Sequence, residues 1–246
     1  MRKLHLVMPM GGKGSRFSQY GYEYPKPLLE IQGKPFFYWA TQSIAKFIDV
    51  IDITFVVLQE HIDKYDIDKH IKRYYPEAII HVIPEVLNGA VLTCQEGLRE
   101  IQDNNPILFN DCDHIFRCRS FEEFCKEGLS DQVNGALLTF QSNENKYSFV
   151  RLDDEENVIE TVEKKVISSQ AICGCYYFGD KQIFHNAVRQ YMNECAYTEY
   201  YVSGLYNVMA ENGAKVKAFE TDFHVPFGIP EEYEEAKNSE QFTELL

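Results

Sequence analysis

This sequence predicts an α/β fold, with a doubly wound, mostly parallel sheet in its first half and a smaller, more antiparallel part in its second. Three observations predict it. Short apolar runs alternate with helical spacing of apolar residues through about residue 118. From about residue 119 apolar runs follow one another with polar turns between them. No repeat, low-complexity tract or Gly/Ser/Pro linker interrupts the 246 residues. Residues 1–246 are therefore expected to form one domain with a single shared core.

The elements follow in order. Residues 4–8 read as a buried strand ending at Pro9, with a glycine-rich loop over 10–17. Apolar spacing over 36–47 is helical, 53–58 is a run of β-formers, and 59–75 reads as one charged amphipathic helix. Residues 79–83 form a strand, 89–100 a helix, and 107–109 a short apolar strand that stops at Asn110-Asp111. In the second half 135–140, 148–152, 158–162 and 171–178 are strand-like, and 153–157 is a polar turn. Residues 181–194 and 201–212 are helical, and 216–220 is a late strand. In sheets of this Rossmann-like kind, ligands bind outside the carboxyl ends of the strands. Both the glycine loop and 110–113 fall at such ends, so one crevice should hold both.

Charge narrows the partners. The net charge of −14 excludes nucleic acid and anionic membrane surfaces, which need a basic face. Phosphate binding would have to rest on a few focused cations and backbone N–H groups. The seven cysteines include no C-x-x-C pair and read as reduced thiols of a cytoplasmic protein. The opening apolar run is too brief for a signal peptide or a membrane span. Homo-oligomerisation is left open.

The loop reads Gly11-Gly12-Lys13-Gly14-Ser15-Arg16-Phe17, which is neither a Walker A loop nor G-x-G-x-x-G. Three glycines in four residues permit positive φ and close backbone approach, and successive N–H groups can form an anion nest. Lys13 and Arg16 add charge, and Pro25-Lys26-Pro27 should hold Lys26 in an extended segment. The alternative is a tight turn with a solvated lysine. Asp111 and Asp113, two apart at a strand end, suit Mg²⁺, which binds one or two carboxylates plus phosphates. The alternative is a pair of solvated turn aspartates. His114 has no second ligand at zinc spacing and reads as structural.

The residues 9–17, Pro25-Lys26-Pro27-Leu28-Leu29 and Gly33-Lys34-Pro35 together resemble the N-terminal signature of the sugar-phosphate nucleotidyltransferases. The resemblance runs to about Glu232. It implies catalytic roles for Arg16 and Lys26, and nucleotide contacts from Met10, Gly11, Gly12, Lys13, Gly14 and Ser15. It implies base reading by Asn88 and Gly89, and a Mg²⁺ cofactor on Asp113 with Asp111 as a second candidate. Acceptor contacts fall on Lys164, Gly174 and Glu199, so residues from about 119 onward become the acceptor-binding half. One departure stands out. Where the family carries a second metal aspartate two residues before a Gly-Thr, this chain has Pro226, with Ile229 after Gly228. Asp222 is the nearby candidate substitute.

The expected activity is transfer of a nucleoside monophosphate from a triphosphate to a small phosphorylated acceptor, with release of pyrophosphate. The Gly-Ser-Arg-Phe run leans toward CTP, and the resemblance implies surface-polysaccharide assembly. A glycosyltransferase of related fold and a non-catalytic sugar-nucleotide sensor remain as rivals.

Overall fold

Leu4, Leu6, Met8 and Met10 pack on one face of the first strand, and Val7 packs on the other. A strand that is apolar on both sides needs a cover on both sides, and the chain supplies one. The structure, a computed structural model, describes residues 3–127 and 132–246. The first half runs β1 (Leu4–Met10), α1 (Ser15–Gln19), β2 (Glu30–Ile31), β3 (Lys34–Pro35), α2 (Phe36–Ala45), β4 (Val50–Leu58), α3 (Gln59–Tyr65), α4 (Ile67–Tyr74), β5 (Ile79–Ile83), α5 (Ala90–Gly97) and β6 (Ile107–Asn110). The chain continues through β7 (His114–Arg117), α6 (Arg119–Lys126), β8 (Gly135–Gln141), β9 (Ser148–Leu152), β10 (Val158–Glu163) and β11 (Gln170–Phe178). It ends with α7 (Lys181–Glu194), α8 (Ser203–Glu211), β12 (Val216–Glu220), β13 (Phe223–Pro226) and α9 (Pro230–Ala236).

One large sheet runs β10-β9-β11-β6-β1-β4-β5, with β8 beside β11 and β12 beside β8. β1 is parallel to β4 and β6, and β4 to β5. β11 is antiparallel to β6, β8 and β9. The parallel half and the antiparallel half thus meet at the β6–β11 seam within one sheet. Phe37, Ile44, Ile71 and Phe121 from α2, α4 and α6 cover one face. Val91, Phe184, Val188 and Leu205 from α5, α7 and α8 cover the other.

A third apolar cluster lies outside these two layers. It joins Phe17 of α1, Phe36 and Trp39 of α2, Ile115 of β7, Phe227, and Tyr233 of α9. Phe17 meets Phe36 and Tyr233 edge-on, each with ring centroids 6.0 Å apart, a favoured aromatic geometry. Removing such a buried ring costs about 3–5 kcal/mol. This cluster fixes the segment after the glycine loop against the C-terminal segment.

The structure differs from the sequence reading in three places. The helix expected over 59–75 breaks at Asp66, which has φ 50; Asp tolerates the left-handed region, and the break lets Ile67 and Ile71 turn into the core. The loop expected over 10–17 closes earlier, because α1 begins at Ser15. Lys26, expected in extended backbone, opens a 3-10 turn, Lys26–Leu28; only Pro25 before it is extended. The antiparallel β7–β13 pair, α6 and α9 had no assignment from sequence.

Candidate active site

β1 and β6 are parallel neighbours, so their carboxyl ends open on one crevice. After β1 the chain turns through Gly11–Gly14. A Cβ on Gly11 would lie 2.6 Å from Ile83 Cδ1, so a larger residue there would have to displace the end of the Ile83 side chain on β5. Gly14 has φ +60, and a Cβ there would lie 3.2 Å from Lys26 Cβ. That close approach seats the Lys26 turn against the loop. α1 then carries Arg16 to the cleft wall. After β6 comes Asp113, whose Oδ2 accepts a 2.7 Å hydrogen bond from Lys26 Nζ. Both side chains are about a quarter exposed, at 25% and 26%; Asp113 lines the cleft, whereas Lys26 is not among the lining residues and meets the cleft through Asp113.

The charges differ between the two aspartates. Burial opposes ionisation of Asp113, but the Lys26 ammonium outweighs it and holds the carboxyl below its ordinary range. Lys26 is raised in turn, the Asp113 charge overcoming burial. Asp111 is pushed up to about 7 by burial first and by Asp113 second, with Glu163 adding and Lys26 opposing. Its backbone N–H donates to Gly174 O at 2.9 Å. Gly174 has φ +87, and a Cβ there would lie 2.6 Å from Asp111 Oδ2, so β11 and Asp111 approach only because residue 174 is glycine.

His114 is buried between Asn110 Oδ1 (3.1 Å from Nε2) and His224 Nε2 (3.2 Å from Nδ1). Burial lowers it to about 4 and lowers His224 as well, so both rings are neutral around pH 7. Asn110 Nδ2 donates to Ala40 O at 3.0 Å, which fixes Oδ1 as the acceptor and puts the His114 proton on Nε2.

The cleft has a volume of about 520 Å³ and is lined by Arg16, Asp111 and Asp113 together with Lys146, Glu163 and Glu232 among others. Glu163 is fixed by the hydroxyls of Ser148 and Ser203, which both donate to its Oε2. Gly228 closes the floor: a Cβ on it would meet Asp113 Oδ2 at 2.7 Å.

The remaining candidates are placed as follows. Arg16, Asp111, Asp113 and Gly174 line the cleft. The Met10 side chain is in the core, 2% exposed, so only its backbone is near the loop. Gly12, Lys13 and Ser15 are exposed and are not among the cleft-lining residues. Asn88 and Gly89 lie against Tyr200: Tyr200 N donates to Asn88 O at 3.3 Å, and Gly89, with φ +105, has no room for a Cβ beside the Tyr200 backbone. Glu199 is exposed and is not among the cleft-lining residues. Lys164 is at the rim, its Nζ donating to Tyr201 Oη at 3.0 Å.

Asp222 is a correction. Its carboxylate accepts from Arg119 N at 2.8 Å and from the Arg119 guanidinium at 3.0 Å. It precedes β13, opposite the far end of β7, whereas Pro226 pairs with His114 next to Asp113. Four strand residues, roughly 13 Å, separate it from the Asp113 end, and it caps the start of α6 instead.

Sequence reasoning also passed over Lys146, Tyr147 and Glu232. Residues 142–147 are a polar turn before a strand, and nothing local separates Lys146 from a solvated lysine. Glu232 in the first turn of a helix reads as a dipole partner.

The donor set suits a hard divalent cation. Asp113 and Asp111 offer carboxylate oxygens to the cleft, while no cluster of three or more His, Cys, Asp or Glu side chains among the described residues forms a preformed cage. Two carboxylates are enough for a cation that takes one or two protein carboxylates and completes its shell with phosphates and water.

Known proteins share the sequence pattern and the fold. Bifunctional protein GlmU of Lactobacillus johnsonii is 26% identical over 148 residues, 57% of this chain and 32% of that protein. The chain thus matches about a third of that relative's length. D-glycero-alpha-D-manno-heptose 1-phosphate guanylyltransferase of Campylobacter jejuni is 23% identical over 246 residues, covering 94% of this chain and 97% of that protein. The crystal structure of a nucleoside-diphosphate-sugar pyrophosphorylase from Vibrio cholerae RC9 superposes with TM-score 0.81 at 24% identity, over 95% of this chain and 100% of that one. The pattern described as nucleotidyl transferase matches residues 6–240, from the core of β1 past α9, and the chain belongs to that family.

Proposed function

We propose that the chain is a Mg²⁺-dependent nucleotidyltransferase that moves a nucleoside monophosphate from a triphosphate to a small phosphomonoester and releases pyrophosphate. The observation that carries this reading is Lys26 on Asp113, at the ends of two adjacent parallel strands, with Arg16 on the wall of the same cleft. The reaction is an in-line displacement at phosphorus, so positioning and charge neutralisation dominate.

In this reading Arg16 and the backbone of the Gly11–Gly14 turn hold the leaving pyrophosphate, and Lys26 neutralises the α-phosphate. Asp113, with Asp111 beside it, holds the cation. A bound Mg²⁺ supplies Lewis-acid stabilisation of the phosphate oxygens. Asn88 and Gly89 face the base, and Gly174, Lys164 and Glu199 belong to the acceptor side. The triphosphate is CTP by the loop sequence, the acceptor a sugar 1-phosphate or another small phosphomonoester, and the setting cytoplasmic synthesis of surface polysaccharide. No helix among the described residues is long and apolar enough to cross a membrane.

A pyrophosphate-release screen of four triphosphates against a panel of phosphomonoesters, with Mg²⁺ and with chelator, tests this. Release with one triphosphate, abolished by chelation, is the expected result. No release from any pair would overturn it and leave a sensor. Consumption of a sugar nucleotide without pyrophosphate would point to a glycosyltransferase.

A further inference from the structure

The acceptor's phosphate brings up to two negative charges into a cleft already rich in carboxylates. Among the residues that line it, the cationic side chains are Arg16 and Lys146; Lys26, bonded to the cleft-lining Asp113, faces the α-phosphate in the reading above. Arg16 follows the glycine turn and faces the triphosphate in the reading above. The Lys164 ammonium sits over the Tyr201 ring, 5.0 Å from its centroid, and Lys164 is not among the lining residues. We propose that Lys146 is the residue that grips the acceptor's phosphate and that Glu232 is the residue that positions it, an inference that rests on the nucleotidyltransferase reading.

The geometry is specific. Lys146 Nζ lies 2.9 Å from Glu232 Oε1 and 2.9 Å from Glu144 Oε2, and its side chain keeps 34% of its surface exposed. Glu232 is 8% exposed. Its Oε1 also accepts from Tyr147 Oη at 2.8 Å, and its Oε2 accepts from Gly228 N at 3.0 Å. Gly228 is the residue whose missing Cβ leaves room for Asp113 Oδ2. One buried carboxylate therefore sets the lysine on the acceptor side and the backbone against the metal-binding aspartate. A buried carboxylate is costly unless its oxygens are hydrogen-bonded. The ammonium has two carboxylates to share and open cleft beside it, so it can turn to a phosphate oxygen without leaving Glu232 bare. The structural alternative is a tether of the 142–147 turn to α9. A tether would affect stability, or both substrates alike.

The test uses steady-state pyrophosphate release with the triphosphate and phosphomonoester that turn over fastest in the screen. Each is varied in turn. Lys146→Met should raise KM for the phosphomonoester about 10- to 100-fold, as loss of a charge-assisted hydrogen bond does. KM for the triphosphate should stay within about threefold. Lys146→Arg, which keeps the charge, should restore the acceptor KM to within about fivefold of the parent. Glu232→Gln should raise the acceptor KM by less than Lys146→Met does, and Lys164→Met by less still. Equal changes in both KM values, or none, in folded Lys146→Met would overturn the assignment while parent turnover keeps the reaction standing. If the parent chain releases no pyrophosphate with any pair, the reaction itself falls. Should Lys146→Met melt below the assay temperature, Lys146→Gln gives the same comparison.

Discussion

The two walls of the cleft are built from different material. The side proposed for the nucleotide is a glycine turn, a 3-10 turn and two cations, Arg16 and Lys26, all within residues 11–28; of the two cations, Arg16 lines the cleft and Lys26 reaches it through Asp113. The opposite wall is made mostly of side chains, those of Asp111, Lys146, Glu163, Tyr201 and Glu232, with the backbone of Gly174 between them, scattered over half the chain. Main-chain amides and fixed cations recognise a triphosphate tail whatever base it carries. A wall of side chains can be changed one residue at a time, so in the proposed reading acceptor choice belongs to the second wall. The Pro226 departure also falls there, in the strand that pairs beside Asp113.

The largest effect should come from the point where the walls meet. Asp113→Asn should lower kcat about 1,000-fold or more, because it removes the carboxylate for the cation and the partner of Lys26. Rapid-quench turnover with varied Mg²⁺ checks it, and a loss under tenfold would detach Asp113 from the chemistry. Gly174→Ala comes next. Its φ of +87 and the 2.6 Å approach to Asp111 predict about 1–3 kcal/mol of destabilisation together with a weakened acceptor KM. Denaturant unfolding and kinetics on the same preparation separate the two consequences.

Asp222→Ala sharpens the contrast from outside the cleft. As a cap of α6 it should cost about 1 kcal/mol of stability and leave kcat and Mg²⁺ dependence alone. A tenfold change in the Mg²⁺ requirement would return Asp222 to the metal site.

The last effect is far from both walls, leaves turnover alone and depends on pH. His5, 3% exposed, bonds Asp52 through Nδ1 and Asp103 through Nε2, both at 2.9 Å. Burial pulls its pKa down, but the two carboxylates outweigh burial and the net shift is upward from 6.5. A raised pKa means stabilisation that is complete below 6.5 and fades as pH rises through the folded value. His5→Gln should therefore cost about 1–2 kcal/mol at pH 5.5 and less at pH 9. Equal costs at both would deny the charged pairing.

The same contrast explains what could be read from the sequence. The nucleotide wall is contiguous, so Gly11–Gly14, Arg16 and Lys26 announce themselves in one short stretch. The sheet was legible too, because β1 and β8–β11 are long runs of β-formers. The break at Asp66 was not, since the periodicity of 59–75 continues across one left-handed residue. α9 and the β7–β13 pair were not either, because their apolar residues complete a cluster with Phe17 and Trp39, a long-range fact with no local period. Asp222 looked like a ligand because sequence proximity to Pro226 says nothing about which end of a strand it occupies. Glu232 and Lys146, more than eighty residues apart, become visible only when the chain brings them together.

The account stands or falls on the Lys26–Asp113 pair as the chemical centre. The most direct measurement is the single-turnover rate of pyrophosphate formation for Lys26→Met against the parent chain, at saturating Mg²⁺, triphosphate and acceptor. The account predicts a drop of about 100- to 1,000-fold with native circular dichroism. A rate within about threefold of the parent in a folded protein would contradict it.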